Sequence, residues 1–417
     1  MKILIRGSYD SYNFGDDALL IAVLFFLENN LGLNMDNTEI YVERASHSLE
    51  KLCYQFSSKL RNSPNILSSI NKLAPILKAL GFPKVLRVAV SCVTFMFFLL
   101  AIFLFRIFGK APFFKEIIEF FRNLDIIHYI GGGYIAEIWK WRMIYEYLVV
   151  TIAKMINPKL KIFGTGLGLG PFESRLCLLL LRGFLKKFDA IFLRESESYK
   201  IVKKLGVKPY TKCLGDDILL LYPILKSLRE DPNSEKVIAV NFKDFPDYTY
   251  PRGSIYQILS LLIQNGFKIH YFCFGEEPGP NDYKVLLSIC GPDLVGNLII
   301  HSPYKEGFWT FLKNLANVNL GFGCAYHFGL ILSIIDIPSI VIYSGAYYRQ
   351  KITGAMDFIG RPYQVCEVDK LKDPMAFIKD FHVLRSCFRF SQDQLLINLY
   401  ATMVEEYMRV YRESLSR

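Results

Sequence analysis

Residues 1–27, MKILIRGSYDSYNFGDDALLIAVLFFL, set a short apolar run, a polar glycine-containing loop and a longer apolar run in succession. Met1 to Arg6 reads as a buried strand and Ala18 to Leu27 as an apolar helix. Strand, loop, helix is the first step of an α/β chain, and the alternation continues. In the first half, strands are expected at Glu39–Val42, Asp125–Ile130, Lys161–Gly164 and Ala190–Arg194, with helices at Trp139–Met155, Leu176–Lys187 and Ser196–Leu205. Ser227 to Glu235, rich in charge with a proline, is the expected linker. Beyond it, strands are expected at Val237–Asn241, Lys268–Phe274, Val318–Gly321 and Ser339–Tyr343, with helices at Ser254–Asn265, Phe308–Ala316 and Tyr326–Ile334. The chain past Ser391 reads as a last helix packing back on the first domain.

A chain of 417 residues is too long for one ordinary core, so two domains are expected. The fold class is α/β: two Rossmann-like, doubly wound domains facing across a cleft, GT-B-like in arrangement, over residues 1–226 and 236–390, with a terminal helix at 391–417. Inside the first domain the 18-residue run Val88 to Phe105 carries no charge and is flanked by Lys84, Arg87, Arg106 and Lys110. It meets the lower length limit for a spanning helix, but a single crossing would split one sheet across the bilayer. An insertion over about 66–110 that dips into one leaflet is therefore expected, with Ile66 to Phe82 as its interfacial partner. A buried core helix is the alternative reading.

Composition narrows the function. Hydrophobic residues make up 52% of the chain and charged ones 21%, which excludes disorder and points to apolar surface. The net charge of +10 suits anionic lipid or phosphorylated substrates; its interleaving with apolar helices speaks against a nucleic-acid face. Nine scattered cysteines lack CxxC or metal-ligand spacing, so no metal is expected and the thiols read as reduced. No secretory signal opens the sequence, which places the chain in the cytoplasm, peripherally or monotopically associated with the inner face of a membrane.

Ligands of open α/β sheets sit at the carboxyl ends of strands, so the loops there carry the chemistry. The loop Arg6 to Asp17 matches neither GxGxxG nor a Walker A loop. Its Asn13 and Asp16 are candidates to bond sugar hydroxyls, with Asp16 as a plain helix N-cap the alternative. Gly131-Gly132-Gly133 follows an apolar strand and offers bare backbone N–H groups to an anion. Gly164 to Pro171, GTGLGLGP, repeats the strand-then-glycine pattern, with close packing as the bland alternative. Gly321 to His327 ends a strand and begins a helix; His327 in that first turn is expected to have its proton affinity lowered by the helix dipole.

The ordered set GSYDSYNFGDDALL, IIHYIGGGYI, GTGLGLGP, AIFLRESES, CAYHFGLILS and PSIVIYSGAYYRQKI resembles the polysaccharide pyruvyl transferase family over nearly the whole chain. The resemblance implies transfer of enolpyruvate from phosphoenolpyruvate, a donor substrate rather than a cofactor, to a sugar hydroxyl of a glycan or lipid-linked oligosaccharide. It implies that Asn13, Gly15 and Asp16 form the cleft floor and that Gly132 and Gly133 form the donor loop. Arg194 is then the arginine that meets donor charge, and His327 the catalytic histidine. This chain departs from the family's Arg-Leu-His element in having Ala325-Tyr326 there, so either Arg349 or Lys351 supplies the missing cation or the donor is not phosphoenolpyruvate. A nucleotide-sugar glycosyltransferase of the same architecture is the alternative, with Glu276 or Glu277 to hold a ribose. A non-catalytic scaffold is a third reading.

Overall fold

The computed structural model describes residues 1–34, 36–43, 47–64, 100, 102–103, 105–106, 114–230, 236–243, 250–379 and 393–415. Most of the apolar insertion, with the Val88 to Phe105 helix and its Ile66 to Phe82 partner, lies outside these residues, as do 231–235 of the linker. No helix among the described residues is long and apolar enough to cross a membrane.

Two parallel sheets carry the chain. The first runs in the order β3 (Leu60–Asn62), β2 (Glu39–Val42), β1 (Lys2–Arg6), β4 (Ile126–Tyr129), β6 (Lys161–Leu169), β7 (Ala190–Leu193), β8 (Tyr210–Cys213), with β5 (Gly132–Ile135) also paired to β6. The second runs β11 (Ile299–His301), β10 (Lys268–Phe272), β9 (Val237–Asn241), β12 (Leu320–Gly323), β13 (Ser339–Tyr343), β14 (Val365–Glu367). Every paired strand within the sheets is parallel, and β1, β4, β7, β9 and β12 are almost wholly buried, as strands covered on both faces must be. The order reverses between β1 and β4 in one sheet and between β9 and β12 in the other. These are the two switch points where ligand crevices form.

Both glycine runs depart from the expected loops. The strand expected to stop at Gly164 continues to Leu169, and Gly132 and Gly133 open the strand β5 rather than lead into a helix. Their glycines make room. A Cβ at Gly164 would overlap Leu167, and one at Gly168 would overlap the Arg194 guanidinium. Gly166, at φ +54°, lets β6 pass close to the carboxyl of Asp217.

The first helix, α1 (Phe14–Phe25), begins earlier than its apolar stretch suggests, because Asn13 O accepts from both Asp16 N and Asp17 N. Asn13 is thus the N-cap, and Asp16 is not. The loop before α1 is seated in the second half. Asn13 forms an antiparallel bridge with Gly275, Phe14 N donates to Phe274 O at 2.7 Å, and Glu276 N donates to Tyr12 O at 3.0 Å. The Phe14 ring, wholly buried, lies 4.6 to 5.5 Å from the rings of Phe274, Phe308 and Phe311. Beside it the buried Tyr304 hydroxyl donates to Asp17 at 2.8 Å.

The last helix (Asp393–Leu415) packs back on the first sheet, as expected. Its Tyr407 donates to Asp217 at 2.7 Å, and Asp217 also accepts from Gly131 N and Thr165, so helix, β6 and the β4–β5 turn share one buried carboxylate. Burial pushes that carboxyl up to about 7, and its donors pull the other way.

Phe14 therefore fastens the two halves. Phe14→Ala removes a buried ring from that seam and is expected to lower unfolding stability by about 3–5 kcal/mol, read as a shift of the denaturant midpoint.

Candidate active site

A cavity of about 450 Å³ opens between the two switch points. Asn13 and Asp16 come to it from the end of β1, Gly133 from the start of β5, Lys243 from the end of β9 and His327 from the end of β12. The fifth element is α2 (Gly345–Phe358), which follows β13 and brings Tyr347 and Lys351 to the same wall.

Its lining is cationic for a small space. Lys243 donates to Asn13 Oδ1 at 3.2 Å, and Asn13 Nδ2 donates to Asp16 at 2.8 Å, so the cleft floor spans both halves. Lys351 Nζ stands 4.8 Å from the Tyr326 ring centroid, and the Arg194 guanidinium is at the same distance from that ring. Tyr326 in turn donates to Asp216 at 3.1 Å. Burial together with the Arg194 charge lowers Lys351 to about 7, and Asp16 pulls the other way. Burial is the first cause that raises Asp16, and its neighbouring cations oppose it.

His327 is 5% exposed, and its Nε2 has no hydrogen-bond partner among the described residues; Asp216 is 3.8 Å away. Burial, then Lys351, Arg194 and Lys243, hold its proton affinity well below the ordinary histidine value. The direction is the one expected from the sequence; the causes are burial and neighbouring cations. At neutral pH the ring is an uncharged base with a lone pair or N–H to offer.

The sequence-derived residues separate into three positions. Asn13, Asp16, Gly133, His327 and Lys351 line the cavity. Gly15 and Arg194 lie just behind it. A Cβ on Gly15 would overlap the His327 ring, and a Cβ on Gly133 would sit 3.5 Å from Arg194 and 3.6 Å from Lys351. Arg194 does pair with Glu195, at 2.6 Å, but both are buried, and the guanidinium NH1 has no partner among the described residues. Gly132 and Arg349 are outside the lining. Gly132 holds the β5 entry at φ +137°, and Arg349 faces solvent. Of the two cations offered in the sequence, Lys351 lines the cavity and Arg349 does not. Glu276 and Glu277 are also outside the cavity, Glu277 being exposed and paired with Lys284.

Sequence reasoning passed over Lys243, Tyr326, Tyr347 and Asp216. Lys243 was the findable one, since it follows a strand next to a switch point. Tyr347, which donates to Gly133 O at 3.0 Å, sits in a helix whose pattern gives no such signal.

Two parallel sheets with opposed switch points over one cationic cleft define a twin-Rossmann enzyme of the GT-B type. Within that class the chain belongs to the polysaccharide pyruvyl transferase family, whose sequence profile matches residues 13–345. It is 19% identical over 402 residues to the amylovoran biosynthesis protein AmsJ of Erwinia amylovora, covering 91% of each chain. Among solved structures it resembles the UDP-GlcNAc 2-epimerase of Neisseria meningitidis bound to UDP-GlcNAc, at TM-score 0.54 and 11% identity over 98% of this chain and 100% of that one. Anabaena HepE in complex with UDP and glucose is similar at TM-score 0.52 and 12% identity, over 100% and 99% of the two chains. At such identities the structural likeness bears on the fold alone. Family membership makes the chain a polysaccharide-modifying transferase.

The close approach at Gly15 yields a sharp expectation. Gly15→Ala should displace the His327 ring and cut turnover by about 10²-fold or more, with circular dichroism unchanged.

Proposed function

We propose that the protein transfers a pyruvyl group from phosphoenolpyruvate, as a ketal, to sugar hydroxyls of a cell-surface polysaccharide or its lipid-linked precursor, with release of inorganic phosphate. The observation that carries this reading is a neutral imidazole at His327, its Nε2 buried and without a partner among the described residues, on the wall of a cavity that Lys243 and Lys351 also line. The donor has a phosphate and a carboxylate, which call for two cationic positions; the acceptor hydroxyl must lose a proton as its oxygen attacks.

In this scheme Lys243 and Lys351 hold the donor's charges, and Arg194 adds its field from behind Tyr326 and Gly133. As the sugar oxygen bonds to the enol carbon, the His327 imidazole relays the hydroxyl proton to the methylene carbon, whose double-bond electrons take it up to form a methyl group. The product is a ketal phosphate. A second sugar hydroxyl displaces its phosphate, which leaves with that hydroxyl's proton, and a cyclic pyruvyl ketal results. Atoms balance with no metal or redox partner. Lys351 supplies the positive charge that Ala325 does not.

A nucleotide sugar is served less well. The acidic residues best suited to grip a ribose, Glu276 and Glu277, do not reach the cavity.

Phosphate release that depends on both phosphoenolpyruvate and a glycan acceptor tests the reading; consumption of a nucleotide sugar without it would overturn the reading. His327→Asn should lower kcat by about 10²–10⁴-fold with little change in donor affinity. Lys351, lowered to about 7, loses its charge as pH rises through that value. Donor KM should therefore climb above pH 7, binding at pH 8 should take up a proton, and Lys351→Met should flatten both trends.

A further inference from the structure

Outside the cleft, four of the large exposed apolar side chains of the first half lie on two neighbouring helices. One is Lys140–Ile156 with the single turn Glu137–Trp139 before it; the other is Arg175–Leu185. The Glu137 carboxylate accepts from the backbone N–H of Glu173 and Ser174, at 2.7 and 2.9 Å, so the two helices start at one point. Around that point Ile138, Trp141, Leu176 and Leu179 are 57%, 76%, 66% and 64% exposed. Leu176 and Leu179 share a helix face by their spacing of three, while Cys177, Leu181 and Phe184 of the same helix are buried. The rim is basic: Lys140, Arg175, Arg182 and Lys186 are exposed around it, with Glu173 an exposed carboxylate at its edge.

From this surface we infer a docking face for an anionic membrane, which brings the cleft mouth to the lipid headgroups. An indole and three aliphatic chains ringed by lysine and arginine match the two layers of a bilayer interface, acyl chains below and phosphates above. Trp139, beside Ile138 and Trp141, lines the cavity, so the face is continuous with the cleft. Near the end of the uncharged run, Ile102 is buried in the hydrophobic cluster that also contains Met143, Cys177 and Leu181, and Phe103 beside it is 57% exposed. The inference goes beyond the proposed reaction and stands whichever donor is used.

The full chain is tested by co-sedimentation with phosphatidylglycerol-containing vesicles and with pure phosphatidylcholine vesicles. Binding is expected to favour the anionic vesicles. A Trp141→Ser, Leu176→Ser, Leu179→Ser variant should bind at least about tenfold more weakly, and a variant with Arg175, Arg182 and Lys186 changed to Gln about fivefold more weakly per charge removed. Unchanged binding by the apolar variant overturns the inference, including the case where that variant converts a dimer to a monomer and so reveals a face for a second copy. Quenching of tryptophan emission by brominated lipid gives a reading on the near-native chain. It should fall in Trp141→Phe, and no quenching in the unaltered protein also overturns the inference.

Discussion

The seating of one short loop in the opposite half of the molecule governs the rest. Asn13 and Phe14 belong by chain order to the first sheet, yet the backbone of Asn13 pairs with Gly275 and the Phe14 ring is enclosed by Phe274, Phe308 and Phe311. Directional hydrogen bonds fix the register of this joint, and aromatic burial supplies its strength. Because Asn13 also caps α1 and touches Lys243, a shift of the joint would move the cleft floor and the His327 ring, which rests on Gly15, together. In twin-Rossmann architectures the halves meet along a narrow waist; here that waist and the site are built from the same residues.

The electrostatics follow from crowding cations where water is scarce. Lys351 and Arg194 stand at equal distances from the Tyr326 ring, whose π face attracts both, while Asp16 and Asp216 offset part of their repulsion. Uncompensated positive charge of this kind is costly at rest and is relieved by an arriving anion. His327 is held neutral first by its burial and then by these neighbouring cations, which disfavour a further charge.

The alternation of strands and helices was legible because apolar runs in parallel strands are continuous and their helices amphipathic. Glu39–Val42, Val237–Asn241 and Ser339–Tyr343 fell where the sequence placed them. Short or polar edge strands such as Tyr210–Cys213 and Val365–Glu367 gave no such signal, since an edge strand needs only one buried face. Of the two readings of Gly164 to Gly168, close packing is the one seen: the missing side chains make room for Leu167, Asp217 and Arg194. Of the candidate site, Asn13, Asp16 and His327 were readable from their position after strands. Arg349 and Lys351 could not be told apart, because the choice turns on helical phase: two residues apart, they face opposite ways.

The buried carboxylate of Asp217 has a consequence for how the protein is made. It joins the β4–β5 turn and β6 to Tyr407, a residue separated from it by the entire second half of the chain. As the polypeptide leaves the ribosome, the amino-terminal sheet must wait for that tyrosine before its innermost acid is satisfied. Until then the sheet carries an unfilled groove, and biogenesis of the catalytic cleft finishes at the carboxyl-terminal helix rather than domain by domain.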